Sequence, residues 1–558
     1  MVARSPHEIP RRRRRHPFPD GQLLLWTERY PVISAEKSEN LTHIFLGAAN
    51  GSGRFQLTRG DKSATSARFS PNGASVYFLS ERSGKPNIYR IPVAGGEAEA
   101  ITDWKGVIAS YEVSPDGKRI AFAGRDEDKD GEKRKKEKLD FKVIGDRPTR
   151  NSLWIASLGG EFPAKPEKLV SGEFHIVGLD WSPDSAKIAF HRVPRSDADV
   201  ARHADLGEVD VASRAVRDLA ASDAEESDPR YSPDGRWIAF LRQPSGNPVS
   251  SAVKLVLLDR ATGTSRELTG TPDEQPRVAG WAADSKSLVF SEVERYRGVL
   301  YRIPLDGPVA KVHESLHSTI SSARLNSSGT HIAFVRQSST EPPEAWAAPL
   351  FSSSAIRVSA ANANIELPAF GKTEIIQWKS KDGLDVDGLL TYPVGYRAGQ
   401  RVPLILNIHG GPAGAFLQDF DGAPGRYPIA TFAAKGYAVL RPNPRGSAGR
   451  GAPFRARVIE DWGGRDFGDL MAGVDHAIAM GVADPERLAV MGWSYGGYMT
   501  AWTVTQTRRF KAAAIGAGVV NHVSMYGTHD IPSFYEDHFG GAPWENRKST
   551  REARRFNS

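Results

Sequence analysis

A turn of the type Ser-Pro-Asp-Gly, followed by a short apolar strand, recurs seven times in the first two thirds of the chain. No other feature constrains the fold as strongly. The copies, some of them degenerate, begin at Phe18, Ser70, Ser114, Ser182, Ser232, Ala282 and Asn326. Proline presets φ at the second turn position, and Asp and Gly supply turn hydrogen bonds and positive φ. The spacing of roughly 45–70 residues is typical of four-stranded blades, so seven copies predict a seven-bladed β-propeller.

Three further segments refine this prediction. Later apolar segments such as NIYRIPV and KLVLLDR are interpreted as outer strands of the blades. Residues 126–138 are all charged except Gly131, and such a run cannot bury apolar surface. We expect it to be a mobile excursion from one blade, with partner binding as the alternative. The pair Glu225-Glu226 is interpreted as solvated acids in a turn between blades, with anchoring of a substrate amine as the alternative.

Strand and helix patterns alternate in the last third of the chain. Residues 373–393 indicate two strands around a turn. Leu404–Ile408 indicates a buried strand that ends in the phrase HGGP at residues 409–412. Helical periodicity follows over 429–435 and 467–479. This alternation predicts a parallel α/β sheet with its active-site loops at the carboxyl ends of the strands.

The phrase GWSYG at residues 492–496 matches the G-x-S-x-G pattern, and it lies between an apolar strand and a helix pattern. In that setting the serine occupies a strained turn, and the flanking glycines avoid a clash across it. The turn exposes the hydroxyl of Ser494 and directs backbone N–H groups at a developing oxyanion. We predict Ser494 as the nucleophile, with the N–H of Tyr495 and the N–H of Gly411 as oxyanion donors.

Three polar side chains near this site are interpreted as structural. His409 is expected to orient the HGGP loop rather than transfer protons. Arg445 and Asp461 are expected to form salt bridges in polar loops. The sequence gives no prediction for substrate-binding residues.

Taken together, these phrases resemble the prolyl oligopeptidase family, in particular its acylaminoacyl-peptidase and dipeptidyl-peptidase-like branch. The resemblance covers roughly residues 18–546. It is carried by HGGP (409–412), NPRGSAGRG (443–451), DWGGRDFGDLMAGVDHAI (461–478), GWSYGGYMT (492–500) and MYGTHDIPSFYEDHFGGAPWEN (525–546). It implies a propeller over 18–366 and an α/β-hydrolase domain with a doubly wound, mostly parallel sheet over 367–558. It also implies a serine peptidase that cleaves short peptides through an acyl-enzyme.

The family also uses an Asp and a His that lie farther beyond the serine than this sequence extends. We therefore expect the hydrolase domain to be incomplete, with its C-terminal strands and helices and the triad Asp and His missing. Activity is expected to be absent or severely impaired. The remaining imidazoles and acids are not expected to substitute for the triad; they are His522, His529, Asp530, Asp537 and His538. From Arg547 the sequence becomes arginine-rich and unpatterned, which we interpret as a frameshift or premature end.

Composition excludes several other classes of protein. The chain has 558 residues and no cysteine, which excludes disulfides, thiolate metal sites and a cysteine nucleophile. Its net charge of +7 is concentrated in Arg11–Arg15 and in the tail 547–558, so we expect no nucleic-acid partner. No apolar run is long enough to span a membrane, and the first 20 residues contain no signal-peptide core. We expect a cytoplasmic protein with no cofactor, no metal and no membrane partner; a homo-oligomer and an upstream signal peptide stay open.

Two other functions stay open at this point. A non-catalytic propeller protein that binds peptides or a partner would tolerate loss of the triad. A general α/β-hydrolase esterase would use the same serine turn, since that turn serves both ester and amide chemistry.

Overall fold

Each turn of the repeat joins the first strand of a four-stranded antiparallel sheet to the second. The computed structural model describes residues 15–17, 20–34, 38–139, 149–196, 203–245, 251–423 and 425–546. In the second copy, the hydroxyl of Ser70 donates to Asn72 Oδ1 at 2.7 Å and accepts from the amide of Ser75 at 3.0 Å. Because these bonds form between residues close together in the chain, the turn can be recognised from the sequence alone. The first copy lies partly outside the described residues.

Seven such sheets form the seven blades, which confirms the predicted propeller. Blades 1 to 4 contain β1 (Arg15–Pro17), β2 (Leu23–Ile33), β3 (Ser38–Ala48) and β4 (Phe55–Gln56); β5 (Ala64–Phe69), β6 (Ser75–Ser80), β7 (Asn87–Pro92) and β8 (Glu99–Ala100); β9 (Val107–Val113), β10 (Arg119–Arg125), β11 (Ser152–Ser157) and β12 (Glu167–Val170); and β13 (His175–Trp181), β14 (Lys187–Val193), β15 (Asp205–Asp210) and β16 (Val216–Ala220).

Blades 5 to 7 follow the same order. They contain β17 (Glu225–Tyr231), β18 (Trp237–Gln243), β19 (Lys254–Asp259) and β20 (Ser265–Glu267); β21 (Arg277–Trp281), β22 (Ser287–Glu294), β23 (Arg297–Pro304) and β24 (Ala310–His313); and β25 (Thr319–Leu325), β26 (His331–Gln337), β27 (Glu344–Pro349) and β28 (Ile356–Arg357). The segments that we interpret as outer strands are third strands. A fourth strand, often only two or three residues long, pairs outside each of them.

The charged run in blade 3 contains a helix, which the sequence analysis did not predict, and its mobility stays a prediction. Helix α1 (Lys129–Lys136) begins where Asp128 Oδ1 accepts a hydrogen bond from the amide of Gly131 at 2.8 Å. Lys85 forms ion pairs with Glu127 and Glu132 at 2.8 and 2.9 Å. The run buries no side chain, as expected, but its caps and this long-range pairing favour a helical turn.

The pair Glu225-Glu226 is not simply solvated. The side chain of Glu226 is fully buried and accepts hydrogen bonds from Ser222 Oγ at 2.7 Å and Arg242 Nε at 3.2 Å. Glu225 lines the central cavity of the propeller. Burial of Glu226 depends on Arg242 in the neighbouring strand, which the local sequence does not show.

Side-chain packing closes the ring between blades 1 and 7, because each of these blades is made from one contiguous stretch of chain. Leu24 and Trp26 of β2 pack against Ala333 of β26 and Ala345 and Ala347 of β27. Trp26 is only 2% exposed. The large side chains of blade 1 pack against small residues of blade 7. This apolar contact, rather than a strand shared by the two blades, joins the ends of the ring.

We predict that Trp26→Ala weakens this seam by about 3–5 kcal/mol, because it removes a large buried side chain from a contact with no strand exchange. Urea denaturation followed by circular dichroism measures the effect. Leu316→Ala is the control, since Leu316 is 64% exposed and its loss should change stability by no more than about 0.5 kcal/mol. Equal effects of the two substitutions would show that the seam does not depend on Trp26.

A six-stranded sheet follows the propeller, with the order β29-β30-β32-β31-β33-β34. Its four strands from β32 to β34 are parallel, and β29 and β30 pair antiparallel at one side, so the predicted α/β-hydrolase fold is confirmed. The strands are β29 (Thr373–Lys379), β30 (Asp385–Thr391), β31 (Val402–Ile408), β32 (Ala438–Asn443), β33 (Ala483–Trp493) and β34 (Phe510–Gly516). The predicted domain boundary at 366/367 falls between β28 and β29 and stays a prediction.

Helices pack on this sheet and bury its apolar side chains. They are α2 (Ile429–Ala434), α3 (Ala452–Arg455) with a 3₁₀ turn at Ala456–Val458, α4 (Arg465–Ala479), α5 (Tyr495–Gln506), α6 (His522–Thr528) and α7 (Pro532–Phe539). Leu404, Leu406 and Ile408 of β31 meet Leu470 and Val474 of α4 in the core. None of the helices in the described ranges combines the length and apolarity that crossing a membrane requires.

Candidate active site

Strand β33 ends at Trp493 and helix α5 begins at Tyr495, so Ser494 alone makes the turn between them. Its backbone has φ 59° and ψ −121°, a conformation that is strained for any residue with a side chain. The amide of Ser494 donates to the carbonyl of Gly516 at 2.9 Å, and its carbonyl accepts from the amide of Tyr498 at 2.9 Å. Ser494 is exposed, whereas Tyr495 to Thr503 are buried.

The turn requires glycine on both sides, as the sequence predicts. A Cβ atom at Gly492 would lie 2.3 Å from the carbonyl oxygen of Gly496. A Cβ atom at Gly496 would lie 2.1 Å from the carbonyl oxygen of Ile408, at the end of the neighbouring strand β31. Real Cβ atoms do not approach backbone this closely, so larger residues here would force β31, β33 and α5 apart.

The HGGP segment packs directly against this turn. A Cβ atom at Gly410 would lie 3.4 Å from Ser494 Cβ and 4.0 Å from Ser494 Oγ. Gly411 follows with φ +130°, a backbone conformation that favours glycine. The structure thus brings the HGGP segment and the predicted nucleophile together. The roles of Tyr495 and Gly411 as oxyanion donors stay predictions.

His409 is held inside the protein. Its Nε2 lies 3.0 Å from Ser447 Oγ and its Nδ1 lies 2.8 Å from the carbonyl oxygen of Gly410. Burial lowers the pKa of His409 to about 4, so its ring is neutral near pH 7. These contacts hold the ring against the HGGP segment, and the orienting role that we expect for His409 stays a prediction.

Tyr495 is fixed by a buried carboxylate that sequence analysis missed. Its hydroxyl donates to Asp466 Oδ2 at 2.5 Å, and Asp466 also accepts from the amides of Gly463 and Phe467 at 3.2 and 2.7 Å. Asp466 is fully buried at the start of α4. Burial raises its pKa to about 7, although these hydrogen bonds lower it in part. The side chain of the predicted oxyanion donor is therefore anchored to a second helix.

Arg445 and Asp461 form salt bridges. Arg445 is 1% exposed and binds Asp469 at 2.7 Å and Asp382 at 2.8 Å, and the hydrogen bond from Arg445 lowers the pKa of Asp382 to about 2. Asp461 binds Arg465 one helical turn later at 2.7 Å. Both residues thus have the structural pairing that the sequence predicts.

The C-terminal histidines His522 and His538 lie around Trp462, whose ring centroid is 4.9 Å from that of Tyr495. The ring centroids of His522 and His538 lie 5.9 and 5.1 Å from that of Trp462. Both histidines are buried, and His522 Nδ1 lies 3.3 Å from the hydroxyl of Tyr535. Within the described ranges, the structure places no imidazole in hydrogen-bond contact with the hydroxyl of Ser494, and no group of three His, Asp or Glu side chains is arranged to hold a metal ion.

Known proteins resemble both the propeller and the hydrolase part of this chain. The profile of the prolyl oligopeptidase family matches residues 426–557, which contain the Ser494 turn, and the TolB beta propeller domain matches residues 19–147. The chain is 28% identical to the uncharacterized peptidase YuxL of Bacillus subtilis, over 93% of this chain and 82% of that protein. It is 23% identical to dipeptidyl-peptidase 5 of Porphyromonas gingivalis, over 94% of this chain and 80% of that protein. The part of the chain that carries the serine turn is therefore similar to the prolyl oligopeptidase family of serine peptidases.

A solved structure shows the same fold. An acylaminoacyl peptidase in complex with Z-Gly-Gly-Phe-chloromethyl ketone superimposes with a TM-score of 0.76 at 23% identity, covering 98% of this chain and 83% of that one. The motif phrases located the serine turn and the HGGP segment. Asp466 and Ser447 were missed as site residues. The only sequence signal for them was that each lies within a phrase shared with the family.

We predict that Gly496→Ala destabilises this peptidase by about 3 kcal/mol or more, because the new methyl group meets the backbone of Ile408. Gly468→Ala is the matched control. Gly468 lies in α4 with no atom within 4 Å of its Cβ position, so alanine should stabilise the helix by up to about 1 kcal/mol. Thermal unfolding of the two variants checks the pair. Similar melting temperatures of the two variants would show that the contact with Ile408 tolerates a methyl group at residue 496.

We predict that the titration of Asp466 makes the free energy of unfolding depend on pH. Its pKa is about 7 in the folded protein, against about 3.9 in an unfolded chain, so the folded state binds more protons between these values. The free energy of unfolding should therefore fall through this group as pH rises from 4 to 7, by at most about 1.4 kcal/mol per pH unit, and should level off above 7. Urea denaturation of wild type and Asp466→Asn should show a stability difference that is more favourable to wild type near pH 5 than near pH 8. A difference independent of pH would contradict this.

Proposed function

We propose that this chain acts on short peptides through an acyl-enzyme formed on Ser494. The observation that carries the proposal is the backbone of Ser494, which stands exposed in a strained strand-to-helix turn with glycines packed on both sides. A strained and exposed serine in this context is the arrangement that lifts a nucleophile above an α/β sheet. The strain is maintained by the buried helix α5, whose first nine residues have no exposed side chain.

We assign Tyr495 and Gly411 as the two oxyanion donors. The N–H of Tyr495 is the first of helix α5, and N–H groups of the first helical turn have no partner within the helix. The partial positive charge of a helix N-terminus favours a developing oxyanion there. Gly411 directly follows Gly410, which packs against Ser494. Asp466 supports the assignment because its hydrogen bond with the phenol hydroxyl fixes Tyr495, the residue that carries this amide.

The general base is not among the described residues. His409 is occupied by Ser447 and Gly410, and its lowered pKa makes it a weak base. Removing the base of a serine triad costs about a million-fold in kcat. Against a typical turnover on the order of 10 per second, the described residues alone should support on the order of 10⁻⁵ per second. A peptide-binding role without turnover is the second candidate, and the propeller cavity of about 600 Å³ is the observation that favours it.

A short peptide as substrate is supported by the propeller. A cavity of about 600 Å³ lies where the first strands of the blades face one another, within the range of small-ligand sites. Ion pairs line it, Arg68 with Glu112 at 2.8 Å and Arg230 with Asp180 at 3.8 Å. A cavity of this volume is too small to hold a folded protein. The similarity to a dipeptidyl-peptidase and to an acylaminoacyl peptidase agrees with peptide substrates.

We predict that a fluorophosphonate slowly forms a covalent adduct on Ser494, since the described residues supply no general base, and that Ser494→Ala abolishes the adduct and any peptide hydrolysis. Intact-protein and peptide mass spectrometry measure the adduct. Ser524→Ala is the control, because Ser524 is also exposed and lies in the same domain, outside the serine turn.

The outcomes separate the candidate functions. Adduct on Ser494 with slow cleavage of a peptide amide supports the peptidase. Cleavage of a short acyl ester alone indicates an esterase. Stoichiometric peptide binding with no adduct indicates a binding protein and contradicts the role of Ser494.

A further inference from the structure

A carboxylate of the propeller reaches into the hydrolase domain. Asp273 lies in the loop before β21 and is 2% exposed. Its Oδ1 accepts hydrogen bonds from the amides of Gly449 and Gly451 at 2.7 and 2.9 Å and from Arg455 Nη1 at 3.0 Å. All three donors belong to the hydrolase domain. A buried charge needs such partners, so the loop around Gly449 and the propeller stabilise each other.

The propeller holds Asp273 in place independently of the hydrolase domain. Glu292 of β22 accepts hydrogen bonds from Thr271 Oγ1 at 2.5 Å and from the amides of Asp273 and Gln275 at 2.8 and 2.9 Å. Burial raises the pKa of both carboxyl groups. The buried carboxylate of Glu292 thus fixes the conformation of the loop 271–275 and orients the carboxylate of Asp273 toward the hydrolase domain.

The other side of the same hydrolase loop supports the HGGP segment. Residues 443–451 form this loop, which we name the glycine loop. Ser447 Oγ lies 3.0 Å from His409 Nε2, and the amide of Ala448 donates to the carbonyl of Gly414 at 3.0 Å. Residues 447 and 448 therefore hold both ends of the segment 409–414, which carries Gly410 and Gly411. We name this segment the oxyanion segment.

Gly449 joins the two sets of contacts. Its amide donates to Asp273, and its carbonyl accepts from the amide of Arg295 at 2.9 Å. A Cβ atom at Gly449 would lie 2.6 Å from that Arg295 nitrogen, so the glycine loop lies in direct backbone contact with blade 6. Both polar groups of Gly449 are thus used by the propeller, one residue after Ala448.

We propose that Asp273 is a positioning residue for the oxyanion hole: docked on the glycine loop, it holds the oxyanion segment against Ser494. The segment reaches its working geometry only while the propeller is in place. The proposal rests on the proposed function of Ser494 and deepens it, because it makes the propeller part of the support of the active site. Asp273 touches no reacting atom and acts through Gly449, Gly451 and Ser447.

Hydrogen–deuterium exchange of the whole chain tests whether Asp273 holds the oxyanion segment through the glycine loop. The experiment does not require turnover. In Asp273→Ala we expect exchange of the peptide covering residues 409–416 to accelerate at least 10-fold, together with that of the glycine loop. Asp273→Asn should give a smaller effect, because its amide oxygen, in the place of Oδ1, can still accept from both glycine N–H groups. This second variant decides the matter if the alanine variant does not fold.

Gln337→Ala is the matched control. Gln337 also bridges the domains, with Nε2 donating to Asp419 at 2.6 Å and Oε1 accepting from the amide of Phe420 at 3.3 Å. These contacts lie beyond the oxyanion segment, so we expect no acceleration over 409–416. Acceleration confined to residues 446–451 in the Asp273 variants, or equal acceleration over 409–416 in Gln337→Ala, would overturn the proposal.

The rate of fluorophosphonate labelling provides the functional readout. We expect Asp273→Ala to lower the maximal labelling rate of Ser494 10- to 100-fold and to leave the half-saturating concentration unchanged, with Gln337→Ala like wild type. An unchanged maximal rate in Asp273→Ala would overturn the catalytic part of the proposal. Failure of the wild type to label at Ser494 would contradict the proposed nucleophile instead, and exchange would still decide whether Asp273 holds the segment.

Discussion

The site depends on one close approach of backbone to backbone, that of Gly496 to the carbonyl of Ile408. In the parallel pairing of β31 with β33, Ile408 is opposite Gly492, so both strands end at the same level. Helix α5 can start at that level only if its second residue has no side chain. The positive φ of Ser494, the exposure of its hydroxyl and the contact with the HGGP segment all follow from this packing. The strain at one residue is held by the burial of the helix behind it.

Buried carboxylates extend this arrangement outward. Asp466 ties Tyr495 to α4, Asp469 binds Arg445 at the base of the glycine loop, and Asp273 ties the same loop to the propeller. Each carboxylate is nearly inaccessible and accepts several hydrogen bonds, which is the condition for keeping a charge inside a protein. The serine turn is therefore set on a framework whose outermost member, Glu292, belongs to the propeller.

The features that sequence analysis predicted are those that local interactions determine. The turns of the repeat are closed by hydrogen bonds within a few residues, as at Ser70, and the serine turn needs glycines at fixed spacing. Helix α1 was missed because Lys85, more than 40 residues earlier, pairs with its acids. The burial of Glu226 and the contact of Asp273 with the hydrolase domain could not be predicted for the same reason. Arg242, the partner of Glu226, lies on the neighbouring strand, and the partners of Asp273 lie in the other domain; a single sequence carries no record of such pairings.

A crystal structure of the chain after reaction with a peptidyl phosphonate would test the central claim most directly, since the phosphonyl oxygen stands where the oxyanion develops. We predict a bond from phosphorus to Ser494 Oγ, with that oxygen about 3 Å from the backbone nitrogens of Tyr495 and Gly411. A phosphonyl oxygen turned to solvent, or phosphorus bound to another side chain, would contradict the assignment of the serine turn as the catalytic centre.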